Sequence, residues 1–304
     1  MGENLIKKEE INENKVFTKS DLMKQLSDYL AKDKPEGYKI GLDCIDNLIR
    51  FETGKVCIIQ GIPQSGKSEI IDFFNIRLNR LYGWKCVYFS PENYPTGVYH
   101  LQKLLCKYRQ EYVSISNMIT ETYENDINYL TNNFYFINYE VVYELSTILK
   151  EAEKLIDKEK AKVLTLDPFN RIKHLYTGFN ETLYISEFMD ELTRFAQKND
   201  VLVNLVVHRT KQKDGEELTA YSTSGSHHFN DKTDYMYSIK RDLNTNIIEF
   251  KTLKIKQQKN LGSLGSCSLQ YDWKSGNYFD AMSESNELID SLFEENIKLN
   301  KINN

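Results

Sequence analysis

Residues 61–68 constrain the fold of this chain more than any other part of the sequence. They read Gly-Ile-Pro-Gln-Ser-Gly-Lys-Ser and match the phosphate-loop pattern G-x-x-x-x-G-K-[ST] at every fixed position. The apolar run 56–60 before them predicts a buried strand. After them, apolar residues recur at helical spacing and predict a helix over 67–82, with Gly83 as its C-cap. A strand, a glycine loop and a helix in this order predict a nucleoside triphosphate site.

Strand-like segments and helical patterns alternate along most of the chain. Further strands are predicted at 85–90, 134–138, 162–167 and 201–207, and helices at 67–82, 95–110, 142–160 and 181–198. This alternation predicts an α/β fold with a mostly parallel central sheet and helices on both faces. Later strands at 235–240, 246–255 and 266–271 are joined by short turns and predict an antiparallel edge extension.

The two ends of the chain differ from this core. Residues 1–18 are charged and rich in Asn, which is typical of a flexible arm. Residues 22–30 carry one apolar helical face, with Ser20 as the expected cap, and this helix either folds back on its own domain or docks on a neighbouring subunit. We therefore expect an arm and helix over 1–36, an ATPase domain over 37–280 and a charged tail, helical over 283–301, at 281–304.

Composition restricts the location and the partners of the protein. No apolar run approaches the roughly 20 residues that a membrane span needs, and the first 19 residues do not resemble a signal peptide. Five scattered cysteines without a C-x-x-C pair favour a reducing, cytoplasmic compartment. The net charge of −5 means that any nucleic-acid binding must use a local basic patch.

Three side chains are candidates for phosphate and metal binding. Lys67 would neutralise the β and γ phosphates and Ser68 would hold Mg²⁺. Asp167 ends an apolar strand and is expected in the Mg²⁺ shell, although capping of the following loop is the alternative. The predicted nucleotide-binding residues are Gly61, Ile62, Pro63, Gln64, Ser65, Gly66, Lys67, Ser68 and Glu69.

Three further candidates end other strands. Glu92 follows the second predicted strand, where it could orient and deprotonate water or be a surface residue. His208 follows the strand over 201–207, where it either contacts the γ-phosphate or satisfies a local backbone group. Arg241 either forms a surface ion pair or is an arginine finger that reaches the nucleotide of the next subunit.

Several segments in the order of the chain carry a family resemblance. They are residues 61–69, 89–93, 166–170, 194–197, 207–208, 224–229 and 240–242. Together they resemble the helicase domain of Twinkle-type replicative helicases, the mitochondrial and phage relatives of DnaB, which have a RecA-like core. The resemblance covers about Gly41 to Tyr271, and Ser-Pro-Glu-Asn at 90–93 and Gly-Ser-His-His at 225–228 are its specific motifs.

This resemblance implies a ring, usually a hexamer, with ATP and Mg²⁺ between subunits and single-stranded DNA in the channel, unwound from 5′ to 3′. It implies that Glu92 is the catalytic base, Asp167 the Walker B acid and His208 the γ-phosphate sensor. Arg241 would be a finger in trans. It also favours docking of the N-terminal helix on a neighbour, and a phage-encoded protein would work in the host cytoplasm.

Basic residues in loops that would face the channel are the DNA-binding candidates. They are Arg171, Lys173, His174, Arg209, Lys211, Lys213, His227, His228 and Lys232. Such side chains bind phosphates without reading sequence, and an ordinary solvated loop is the alternative. Lys254 and Lys256 alternate on a predicted strand and share one face, which suggests a nucleotide contact.

The sequence also departs from the family pattern. We expect no priming activity, because no primase-like region precedes the ATPase domain, and Gln64 stands where many relatives have Gly. The acidic charge suggests weak DNA binding or help from a loader or a primase. The alternatives are a RecA-like ATPase that gates an assembly without unwinding, and a strand-exchange recombinase.

Overall fold

A computed structural model describes residues 16–31, 36–141, 143–173, 181–208, 227–242, 245 and 247–283. The chain divides into two compact units, Met1–Glu36 and Gly37–Asn304. The first contains helix α1 (Lys19–Leu30), none of whose residues is buried. Its cap is Thr18, so the prediction of Ser20 was wrong. Thr18 Oγ1 accepts from the Asp21 N–H at 3.2 Å and the Asp21 carboxylate accepts from the Thr18 N–H at 2.8 Å, which forms a capping box.

The described part of the larger unit contains one mixed sheet of nine strands, in the order β3-β2-β4-β5-β1-β6-β7-β8-β9. The strands are β1 (Lys55–Gly61), β2 (Cys86–Phe89), β3 (Phe134–Phe136), β4 (Val163–Leu166), β5 (Leu202–His208), β6 (Tyr235–Arg241), β7 (Ile247–Ile255), β8 (Gly265–Tyr271) and β9 (Tyr278–Asp280). β1 to β6 are parallel, and β7, β8 and β9 each run antiparallel to the strand before it. The predicted α/β sheet with an antiparallel edge is confirmed.

The described part of the larger unit contains eight α-helices, most of them between parallel strands. They are α2 (Asp43–Asp46), α3 (Lys67–Tyr82), α4 (Leu101–Arg109), α5 (Glu121–Thr131), α6 (Leu145–Glu159), α7 (Glu181–Asn199), α8 (His228–Lys232) and α9 (Gln258–Leu261), and a π-helix (Thr96–His100) leads into α4. The bounds of α3 agree with the prediction, including Gly83 at φ 68°. Neither α5 nor β9 was predicted, because α5 buries a single residue, Leu130, and β9 has three residues.

The core covers both faces of the sheet. Cys57 and Ile59 of β1 pack in one cluster with the apolar side of α3. Val56 and Ile58 point to the opposite face and pack in a second cluster with α6 and α7. Alternate residues of one strand thus enter two cores, as expected for a strand in the middle of a parallel sheet.

The sheet direction determines where the predicted site residues lie. Because β1, β2, β4 and β5 are parallel, the loops after them leave the sheet at one edge, which we call the carboxyl edge. The phosphate loop, Glu92, Asp167 and His208 all lie at this edge.

Cys57 and Cys86 are buried, as expected of core residues. No described helix is long and apolar enough to cross a membrane. The charged tail at 284–304 lies outside the described residues.

Candidate functional site

The phosphate loop depends on glycine at two positions. Gly66 has a φ of 94°, which L side chains rarely adopt, and α3 begins directly after it at Lys67. A Cβ at Gly61 would lie 2.6 Å from Ser65 Oγ and 2.8 Å from the Ile239 carbonyl oxygen. Since both distances are shorter than real Cβ contacts, the loop can close only with glycine there.

Gln64 also has a left-handed backbone, with a φ of 63°. A residue with a Cβ is strained in this conformation, and glycine is not. Glycine is therefore the unstrained choice at this position, and this chain holds the loop at a higher conformational cost.

The ammonium of Lys67 is held inside the loop. Its Nζ donates to the carbonyl oxygens of Gly61 at 3.0 Å and Ile62 at 2.7 Å. Burial lowers the pKa of Lys67 to about 8, and the carboxylates of Asp167 and Glu92 oppose that change. Ser65 Oγ is buried without a hydrogen-bond partner among the described residues. The loop therefore presents one cation and one unsatisfied hydroxyl, which fits a phosphate group.

Asp167 lies at the carboxyl edge of β4, next to the start of α3. Burial raises its pKa to about 6, while a hydrogen bond with Ser68 acts in the opposite direction. A hydroxyl and a buried carboxylate in contact at the start of the phosphate-loop helix form an oxygen donor set that suits Mg²⁺. The structure thus brings together the two residues predicted to hold the metal ion.

Behind Asp167 lies a buried polar group that the sequence did not reveal. His100 Nε2 lies 3.1 Å from Asp72 Oδ1, and both side chains are buried. Asn75 Nδ2 of α3 donates to Tyr88 Oη at 2.7 Å and to Thr165 Oγ1 at 3.1 Å. These contacts join α3 to β2 and β4 beneath the site.

Glu92 and His208 lie close to the phosphate loop. Glu92 Oε1 accepts from Arg171 Nε at 3.1 Å. Burial, and then the charge of Lys67, lower the pKa of half-buried His208, whereas Glu92 raises it. His208 is paired in register with Gly61. The predicted base, sensor and phosphate-binding lysine therefore share one electrostatic environment.

Arg241 lies at the same edge, beside the phosphate loop of its own chain. Its guanidinium carbon is 5.7 Å from the centre of the Tyr271 ring, and Tyr271 Oη is 3.4 Å from Glu69 Oε2. This position is compatible with contact to its own nucleotide as well as with the finger role in trans. The trans role stays a prediction.

Glu69 differs from the other residues predicted to bind the nucleotide. Its carboxylate contacts Lys103 and Lys107 of α4. Although burial alone would raise its pKa, the two lysines hold the pKa of Glu69 well below its usual range. Its side chain is thus occupied within the fold, and its backbone N–H, in the first turn of α3, is the group left for a phosphate.

The DNA-binding candidates fall into four groups. Arg171 and Lys173 are exposed, and Lys173 Nζ donates to Glu144 Oε1 at 2.8 Å. Lys232 instead donates to Ser186 Oγ at 2.6 Å and to Asp190 Oδ2 at 2.5 Å, so it fastens α8 to α7 rather than pointing to a ligand. His227 and His228 begin α8. His174, Arg209, Lys211 and Lys213 lie outside the described residues.

The structure restricts the nucleotide contact suggested for Lys254 and Lys256 to a nucleotide bound by another chain, and that contact stays a prediction. Lys254 Nζ donates to the Asp231 carbonyl at 3.2 Å, and Lys256 Nζ lies 3.5 Å from Asp234 Oδ1. These partners precede β6, at the sheet edge opposite the phosphate loop. Neither lysine can reach a nucleotide bound by its own chain.

Comparisons with known proteins agree with this geometry. The chain is 28% identical over 286 residues to a Twinkle homologue from Arabidopsis thaliana, described as chloroplastic/mitochondrial, and the match covers 88% of this chain and 40% of that protein. The chain thus spans about two fifths of this relative's length. No model of a known protein family matches the chain.

Two solved structures share the fold. One of them, the structure of an ATPase domain, superposes with a TM-score of 0.69 at 14% identity, covering 88% of this chain and 99% of that one. A DnaB-like replicative helicase, solved in a study of its interactions with primase, gives 0.68 at 14% identity, with coverages of 88% and 67%. These findings confirm the RecA-like fold and the predicted resemblance to Twinkle-type and DnaB-type proteins.

Proposed function

We propose that this chain, with its Twinkle-like and DnaB-like ATPase domain, is a replicative DNA helicase that moves along single-stranded DNA as a ring. ATP is hydrolysed at the subunit interfaces. The observation that supports this most is the meeting of the phosphate loop, Asp167, Glu92 and His208 at one sheet edge, in a chain similar to a Twinkle homologue. These are the groups that phosphoryl transfer to water requires.

In this proposal the phosphate loop binds the triphosphate. The free N–H groups at the start of α3 and the ammonium of Lys67 face the β and γ phosphates. Ser68 and Asp167 would hold Mg²⁺, which neutralises phosphate charge when bound. The ammonium of Lys67 has three N–H donors, and two loop carbonyls accept from it, so one donor is left for a phosphate oxygen.

Glu92 then accepts a proton from the attacking water. Its carboxylate lies near Lys67, at the carboxyl edge of the strand that neighbours β4. His208 is the last residue of β5 and would contact an oxygen of the γ-phosphate. As the γ-phosphate sensor, His208 would pass the state of the nucleotide to the residues that follow it in the chain.

The DNA partner and the ring are proposed from exposed surfaces. Arg171 and Lys173 follow the Walker B strand and are exposed, so they can bind backbone phosphates in a channel. α1 has an exposed apolar face, with Leu22, Met23 and Leu26 at about half exposure, which a neighbouring subunit would cover. A primase or a loader is the expected further partner. The expected location is the cytoplasm, which is the host cytoplasm if a phage encodes the protein.

Strand displacement tests the proposal. Forked duplexes with a fluorescent strand and either a 5′ or a 3′ tail are incubated with ATP and Mg²⁺, with Lys67→Ala as the blank. The proposal predicts displacement on 5′-tailed forks by the wild-type protein and none by the variant. ATP-dependent oligomers that displace no strand, and whose hydrolysis ignores DNA, would instead support an ATP-gated assembly protein.

A further inference from the structure

Two lysines of α4 share the carboxylate of Glu69. Lys103 Nζ lies 2.5 Å from Glu69 Oε1, and Lys107 Nζ contacts Oε2. The lysines are four residues apart and therefore project from the same face of the helix. Glu69 directly follows Ser68 in α3, so this ion cluster is fixed to the first turn of the phosphate-loop helix.

The two lysines then diverge. Lys103 Nζ also donates to Asn93 Oδ1 at 3.2 Å, and Asn93 Nδ2 donates to Ser90 Oγ at 2.7 Å. Lys107 lies next to the segment between β8 and β9, where its backbone carbonyl oxygen accepts from Asn277 Nδ2 at 3.3 Å. Of the two contacts described, that of Lys103 leads to the turn that contains Glu92.

We propose that Lys103 is a positioning residue for ATP hydrolysis, which fixes the turn carrying Glu92 against the phosphate-loop helix. The route runs from Glu69 through Lys103 to Asn93 and Ser90, which lie one position after and two positions before the candidate base. This role rests on the proposed hydrolysis and adds to it the residue that sets the distance between base and phosphate.

The geometry explains why such a fastening matters. The Glu92 side chain is 41% exposed, and its described partner, Arg171, is 59% exposed, so that ion pair cannot hold the base in place by itself. A general base must lie within hydrogen-bond reach of the water, and misplacement by about 1 Å can cost about 100-fold in rate. Lys103 connects this exposed turn to an ion cluster that is partly buried and includes the buried Lys107.

The test is a double-mutant cycle with Lys103→Met and Asn93→Ala, measured with a fluorescent ATP analogue and by steady-state hydrolysis with single-stranded DNA. Each single variant should lower kcat about tenfold and leave nucleotide Kd and KM within about twofold. The double variant should lose no more than either single variant, because both changes cut one route. Lys107→Met is the matched control, since it removes the other ion pair of Glu69; it should lower the melting temperature and leave kcat within about twofold.

Three results would overturn the inference. They are unchanged kcat in both single variants, losses that multiply in the double variant, and losses in Kd instead of kcat. If the wild-type protein hydrolyses ATP and the variants have the same kcat, this inference alone is wrong. A wild-type protein that binds ATP and never hydrolyses it removes the proposed function, and this inference with it.

Discussion

Two carboxylates beside the phosphate loop, Glu69 and Glu92, differ in every respect that matters for their roles. Glu69 contacts two lysines, and one of them, Lys107, has a side chain that is 1% exposed. Glu92 has one described ion-pair partner, Arg171, and both side chains are open to solvent. The ion pairs of Glu69 are fixed by the fold, whereas Glu92 and Arg171 can each leave their shared ion pair to contact a ligand.

The difference follows from the cost of moving charge out of water. A buried ion pair loses hydration when it forms, so removing one partner leaves the other charge both dehydrated and unpaired. An exposed pair keeps most of its hydration and contributes about 0–1 kcal/mol. The site therefore combines a fixed ion cluster between α3 and α4 with an exchangeable pair, Glu92–Arg171, that faces the expected ligands.

Substitution of Arg241 is expected to give the largest effect. The result shows whether Arg241 belongs to the residues fixed by the fold or to those that contact the ligands. If it supplies positive charge in the transition state, Arg241→Ala should leave ATP binding largely intact and lower turnover by about 10³. Single-turnover hydrolysis and ATP-analogue titration separate the two quantities. An unchanged turnover would assign Arg241 to the fixed part of the fold.

Mixing experiments show whether Arg241 acts within its own chain or across an interface. Rings mixed from Arg241→Ala and Glu92→Gln subunits contain interfaces with one intact base and one intact arginine only if the arginine acts in trans. Recovered hydrolysis at intermediate ratios supports the finger. No recovery at any ratio supports a contact with the nucleotide of its own chain, which the position over Tyr271 also permits.

Glu69→Ala should lower the free energy of unfolding by about 3 kcal/mol, because buried Lys107 then has lost its carboxylate partner. Glu144→Ala is the matched control. It removes the exposed pair of Lys173, at 44% and 39% exposure, and should cost less than about 0.5 kcal/mol. Urea titrations of both variants measure the difference. Equal losses would mean that burial does not separate the two kinds of ion pair.

Arg171→Ala should raise ATP hydrolysis without DNA by up to about fivefold, because the loss of an exposed pair worth at most about 1 kcal/mol frees the Glu92 carboxylate. The stimulation by DNA should shrink correspondingly, and the slope of log affinity against log salt should fall by about one. Lys173→Ala is the control in the same loop. It should weaken DNA binding similarly and leave the DNA-free rate unchanged. A lower DNA-free rate in Arg171→Ala would contradict the proposal that Arg171 leaves Glu92 when DNA binds.

Gln64→Gly should give the smallest effect, a gain of about 0.5 kcal/mol in stability, because glycine relieves the left-handed strain at φ 63° and loses some of that gain through chain entropy. Gln110→Gly, at φ 59° after α4, is the control outside the site. Thermal unfolding should show similar gains, and ATP affinity should change in the loop variant alone. Destabilisation of both variants would argue against strain at these positions.

Much of this fold could be predicted from the sequence because its signals are local. The pattern at 61–68 and the apolar spacing after it determine β1, the loop and the bounds of α3. Apolar strands that end in a polar residue indicated the position of Asp167 and His208 at the carboxyl edge. The parallel order follows from the helices between the strands.

The ion cluster beneath the site could not be predicted in the same way. Lys103 and Lys107 lie 34 and 38 positions after Glu69, and lysines on a helix normally indicate a solvated face. Lys232 was predicted to contact DNA for the same reason, since nothing local shows that Asp190 and Ser186 receive its ammonium. α5 was missed because little of it is buried. The spacing of apolar residues does not predict which charged residues pair over long distances in the sequence.

ATP hydrolysis measured with and without single-stranded DNA, with Lys67→Ala as the blank, tests the central claim most directly. The claim is that a phosphate-loop ATPase carries its base on an exposed turn that DNA can influence. We predict hydrolysis that is absent from the variant and is stimulated by DNA in the wild-type protein. Wild-type hydrolysis that is the same with and without DNA at low salt would contradict the claim.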